Sequence, residues 1–210
     1  MSDSIDFFFD FGSPYSYFVS TRIDALAQRH GRKVVWRPVL LWAVLKAQGL
    51  PPPFEHPLKE SYLRRDTERC ARFYDLPFKL PSHFPASSHL PARAFFWLQR
   101  NTPALAVPFA KRFFEAYFVD DIDISDAAAV ADVLMNVAGL NEEAARSAIS
   151  DIAAKTALQS SVALAVERGV WGVPFIVIDG EPFFGADRLP LIEHKLAAGS
   201  PAAVARGVSE

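Results

Sequence analysis

The strand signals of this chain stand at its two ends, and that spacing constrains the fold more than any other feature. Ile5 to Phe11 is short and rich in β-forming aromatics, and Gly12 ends it. Ser13 suits a helix N-cap and Pro14 a first helical position. Tyr15, Phe18, Val19, Ile23, Leu26 and Ala27 then make one apolar stripe at helical spacing, which Gly31 stops. Val34 to Trp36 reads as a second short strand closed by Pro38, and strand, helix, strand in that order predicts a right-handed parallel βαβ unit. The strand signal returns only at Phe175 to Ile178. There Asp179-Gly180 predicts a type I′ turn, Pro182 to Phe184 the partner strand, and Leu189 to Leu196 a last helix.

Between these ends, residues 49–168 carry proline-rich connections and helical periodicity. The pattern predicts helices near 58–75, 90–100 and 104–118. Further helices are predicted over Ala127 to Val137 with Ser125 or Asp126 as cap, after Asn141, and near 151–168. The chain therefore divides into residues 1–48 and 169–210, which form βαβ plus ββα, and an inserted α-helical block over 49–168. This is an α/β chain with the arrangement of a thioredoxin-like fold carrying a large α-helical insertion.

Several classes of function are disfavoured. A formal net charge of −2 and the absence of a run of Lys or Arg leave no footprint for nucleic acid. No stretch approaches the roughly 18 to 20 apolar residues of a membrane span, and the acidic start MSDSIDFFFDFG is no export signal, so a cytoplasmic protein is expected. The single cysteine, Cys70, stands on a charged helical segment and reads as structural; one thiol supports no internal dithiol chemistry. His30, His56, His83, His89 and His194 lack paired ligand spacing, so no metal site is expected.

Three separated segments carry the chemistry: Phe11-Gly-Ser-Pro-Tyr-Ser16, Gly172-Val-Pro-Phe175 and Phe184-Gly-Ala-Asp-Arg188. In this order they resemble the 2-hydroxychromene-2-carboxylate isomerase and kappa-class glutathione transferase family, itself similar to DsbA-type disulfide oxidoreductases. The likeness runs over roughly residues 5–197 and takes in Lys59 and Tyr62, His83-Phe-Pro85, Ala92-Arg-Ala94 and Asp123-Ile-Ser-Asp126. It implies glutathione as cofactor, a small aromatic keto-acid as substrate, and a homodimer. The implied reaction interconverts 2-hydroxychromene-2-carboxylate and trans-o-hydroxybenzylidenepyruvate. A kappa-type transferase or peroxidase and a non-catalytic binding module are the alternatives.

Residue roles follow from the same resemblance. On its own, Ser13 before Pro14 reads as an N-cap; the likeness puts it where redox relatives carry a cysteine, as the donor that holds the glutathione thiolate. Val173-Pro174 takes the place of a cis-proline element whose backbone pairs with the cysteinyl part of glutathione, and Asp187 with Arg188 takes its γ-glutamyl end. Lys59 is the cation assigned to a carboxylate. Tyr15, Trp36, Phe54, Tyr62, Phe84, Arg64 and Arg65 are the candidate walls and charges of the substrate site. One departure stands out. Where the family commonly reads Gly-Asn-x-Pro-Pro, this chain has Gly49-Leu50-Pro51-Pro52, so an asparagine contact to glutathione is lost or replaced.

Overall fold

The computed structural model describes residues 4–53 and 57–198. Four strands form one sheet in the order β2-β1-β3-β4. Strand β1 (Ser4–Phe9) lies parallel to β2 (Lys33–Pro38) and antiparallel to β3 (Phe175–Ile178), and β3 continues into β4 (Glu181–Phe184). The βαβ and hairpin expectations both hold, and Asp179 and Gly180 take φ of 52° and 86°, as a type I′ turn requires. Strand β2 runs through Pro38; at a sheet edge a missing N–H costs no ladder bond.

The period of two sorts β1 onto two cores. Ile5, Phe7 and Phe9 join Trp36 in a large aromatic cluster, whereas Phe8 packs with Val39, Val44, Val170, Phe175 and Val177 on the opposite face. Helices cover both faces. Phe9 is central to the larger cluster, with ring centroids of Phe7, Phe11, Trp36, Phe95 and Phe114 between 5.2 and 5.9 Å away.

Ten α-helices are found among the described residues. The first predicted helix is two, α1 (Pro14–Ser20) and α2 (Ile23–Arg29). At the break the hydroxyls of Ser20 and Thr21 donate to the carbonyls of Tyr17 and Phe18 at 2.7 and 2.9 Å, competing with the ladder. Helix α3 (Leu41–Ala47) has no counterpart in the sequence reading, because its cap, Leu40, supplies no side-chain acceptor. The carboxylate of Asp10 accepts the Leu41 amide instead, at 2.8 Å, from the far end of β1.

The helical block between β2 and β3 comprises α4 (Pro57–Phe73), α5 (His89–Asn101), α6 (Pro103–Phe118), α7 (Ala127–Ala138), α8 (Glu142–Ser150) and α9 (Ile152–Glu167). Asp126, Asn141 and Asp151 cap the last three. A 3₁₀ turn at Ala186–Arg188 leads into α10 (Leu189–Ala198). No helix among the described residues is long and apolar enough to cross a membrane.

Candidate active site

The site begins where β1 ends. The chain turns through Asp10, Phe11 and Gly12, the Ser13 amide donates to the Asp10 carbonyl at 2.9 Å, and α1 starts. Ser13 is the N-cap the sequence predicts, its Oγ accepting the Ser16 amide at 3.2 Å. As a donor, however, that hydroxyl is scarcely used: its protein acceptor, the Val173 carbonyl, is 3.5 Å away. A proton so weakly held is available to an anion placed beside it.

Val173 faces Ser13 from the loop before β3. The Val173–Pro174 peptide bond is cis, and the Phe84–Pro85 bond is a second cis bond near the site. The Pro174 carbonyl accepts the Gly185 amide at 3.0 Å, while the Val173 amide finds no partner among the described residues. Backbone of this kind offers an added strand a place to pair.

Two hollows meet here. A cleft of about 690 Å³ runs from Ser13 between Trp42, the Pro51–Pro53 segment, Phe84 and Trp171. A groove of about 890 Å³ runs the other way past Tyr62, Asp66, Cys70 and Asp187. Tyr15, Leu63, Val173 and Phe184 border both. The partition between them depends on glycine. A Cβ at Gly172 would stand 2.4 Å from the Phe184 ring, which packs on Trp171 with centroids 4.1 Å apart. Gly185, at φ 105°, lets Asp187 come so close that a Cβ would sit 2.6 Å from its carboxylate.

Most of the residues singled out in the sequence converge on these hollows. Ser13, Lys59, Arg64 and Phe84 line the cleft; Tyr62, Pro174 and Asp187 line the groove; Tyr15 and Val173 line both. Others stand elsewhere. Trp36 is a correction: strand alternation turns it into the aromatic core at 3% exposure, with its ring N–H donated to Asp24 at 2.9 Å. Arg65 folds back along α4 onto Ser61, and Arg188 pairs with Asp187 at 2.8 Å; neither lines the cleft or the groove. Leu50 is exposed outside the cleft, although the three prolines after it form one wall. Phe54 and His56 lie outside the described residues.

The family model of the DSBA-like thioredoxin domain matches residues 4–197. The chain belongs to this family. A 2-hydroxychromene-2-carboxylate isomerase of Sphingobium xenophagum is 28% identical over 198 residues, 93% of this chain and 99% of that protein. The glutathione S-transferase kappa 2 of Caenorhabditis elegans is 27% identical over 207 residues, covering 92% and 91%. Among solved structures, a 2-hydroxychromene-2-carboxylate isomerase superposes with a TM-score of 0.82 at 27% identity, over 92% of this chain and 94% of the other.

Two acidic residues of this DSBA-like domain escaped the sequence reading. Asp66 accepts Tyr15 Oη at 2.7 Å, Tyr62 Oη at 3.3 Å and Arg69 at 2.8 Å, and Cys70 Sγ lies 3.7 Å away. The spacing Tyr62, Asp66, Cys70 on α4 puts the three on one helical face, a signal that was there to be read. Burial and then Asp66 hold the Tyr15 hydroxyl far above its ordinary range. Asp10, at 5% exposure, accepts the Gly12 amide at 2.8 Å as well as that of Leu41, and burial raises its pKa despite these donors.

Cys70 lines the groove, and its surroundings favour the protonated thiol at neutral pH. Burial first, then the Asp66 carboxylate, pushes its thiol up to about 11. Allowing for the greater nucleophilicity of a more basic thiolate, its alkylation at pH 7 to 8 should be on the order of tenfold slower than that of an unperturbed thiol. The rate should keep climbing toward pH 11. Iodoacetamide rates followed by mass spectrometry check this, and a plateau below pH 9 would contradict it.

Proposed function

We propose that this protein is a glutathione-dependent isomerase acting on 2-hydroxychromene-2-carboxylate or a close aromatic keto-acid analogue. The observation that carries the reading is the underused Ser13 hydroxyl, 3.5 Å from the Val173 carbonyl, next to a Val173 amide that has no partner among the described residues, where the cleft and the groove meet. Glutathione fits that junction: it needs a donor for a sulfur anion, backbone for its own peptide groups, and an acidic residue for its ammonium. In this reading Ser13 donates to the sulfur, Val173 pairs with the cysteinyl backbone, and Asp187 receives the γ-glutamyl ammonium.

The chemistry glutathione supplies when bound is a sulfur nucleophile that adds reversibly to a conjugated double bond and so frees it to rotate. The protein's part is to hold and orient. With α1 only seven residues long, the Ser13 hydroxyl rather than a long helix dipole stabilises the anion. Trp42, Phe84 and Trp171 line the cleft with aromatic surface, which suits a planar substrate. Lys59 has no ion-pair partner among the described residues, whereas Arg64 is held by Glu60 at 2.7 Å, so Lys59 is the cation assigned to the substrate carboxylate.

Kappa-class relatives at comparable identity favour a transferase as the second reading. One experiment separates the two. Isomerisation of 2-hydroxychromene-2-carboxylate is followed by absorbance with and without glutathione, and the products are searched for sulfur by mass spectrometry. Turnover that requires glutathione, leaves its total unchanged and yields no adduct is the expected result. A stoichiometric adduct selects the transferase, and equal rates without glutathione remove both.

A further inference from the structure

Three walls of the cleft have no common sequence neighbourhood: the Gly12–Ser13 turn after β1, the first turn of α3 with Leu41 and Trp42, and the segment from Phe84 to Ser88 that leads into α5. All three converge on one side chain. Asp10 Oδ1 accepts the Gly12 amide at 2.8 Å, Oδ2 accepts the Leu41 amide at 2.8 Å, and the buried Ser88 side chain acts on the same carboxylate, favouring its charged form. The Asp10 carbonyl also receives the Ser13 amide at 2.9 Å. Gly12 belongs to the same knot, since a Cβ there would lie 3.3 Å from Asp10 Oδ1.

A carboxylate buried to this degree is an unfavourable choice on stability alone, because taking the charge from water outweighs its hydrogen bonds. Its chemistry explains the choice. A carboxylate alone among the small side chains presents two acceptor oxygens, one for each backbone amide; asparagine would turn an NH₂ toward one of them. We propose that Asp10 is the positioning residue of the site, a clasp that fixes the Ser13 turn against α3 and the Ser88 segment so that the hydroxyl faces the sulfur. The consequence for glutathione rests on the function proposed above; the clasp itself does not.

The decisive variant is Asp10→Asn, with Ser88→Ala as a milder one that leaves the carboxylate in place. Amide hydrogen exchange tests the clasp without any ligand. Exchange at Gly12 and Leu41 should quicken at least tenfold in Asp10→Asn, while α7 and α8 keep wild-type rates. Unchanged exchange at both amides overturns the proposal, whether or not the protein binds glutathione.

Calorimetric titration of the wild type with glutathione tests the function separately. Given binding, thiolate absorbance against pH gives the pKa of the bound sulfur. Positioning and charge have opposite signs here: removing a negative charge beside the sulfur lowers that pKa, whereas losing the aim of Ser13 raises it. The expected result is a rise in Asp10→Asn, a smaller rise in Ser88→Ala, and no further rise when Asp10→Asn is added to Ser13→Ala. A lowered or unmoved pKa in Asp10→Asn would show that the carboxylate does not act through Ser13.

Discussion

Replacing Ser13 by alanine should cut turnover about ten- to a hundredfold while leaving the protein folded. The change removes the side-chain donor that the proposed function places on the glutathione sulfur, and a hydrogen bond to a charged partner contributes roughly 1.5 to 3 kcal/mol. It also removes an N-cap, since Ser13 Oγ accepts the Ser16 amide, at a cost of about 1 kcal/mol in stability. The two losses are separable. Only the first raises the pKa of bound glutathione and moves the alkaline rise of the rate to higher pH. Superimposable thiolate titrations for wild type and Ser13→Ala, each saturated with glutathione, would remove Ser13 from the mechanism.

The largest stability loss from a single truncation is expected at Phe9. Its ring lies between β1, β2, α5 and α6 and touches five other aromatic rings. Phe9→Ala should cost about 3 to 5 kcal/mol, a large share of the roughly 5 to 15 kcal/mol that holds a domain together. For a chain of this size that lowers the thermal midpoint by on the order of 10 °C. Urea unfolding checks the value. A loss below about 1 kcal/mol would mean that the neighbouring rings close over the space.

What the sequence made legible was local. Asp126 and Asn141 cap helices with their own carboxylate and amide, and Asp179-Gly180 turns the hairpin by its own backbone preferences, so short windows sufficed. Helix α3 was not legible, because its first amide is met by Asp10 from another element. The break between α1 and α2 follows from two hydroxyls that a count of apolar positions ignores. In the site, motif resemblance drew attention to Ser13 and Val173, which do face each other. Trp36 was misassigned because aromatic character says nothing about direction, whereas its place in β2 does. Asp66 and Asp10 went unnoticed because a charged helix and a strand end give an acidic residue ordinary surroundings until the fold closes around it.

The walls of the cleft come from segments scattered from Asp10 to Phe184, and no two adjoining elements enclose it alone. A molecule that fills it therefore recognises only the fully assembled chain. Occupancy and global unfolding are then linked: ligand at a hundred times its dissociation constant adds about 2.7 kcal/mol to the free energy of unfolding. Raised melting temperature becomes a substrate-discovery assay that needs no turnover, and planar carboxylates tested with and without glutathione would reveal which shapes the cleft accepts.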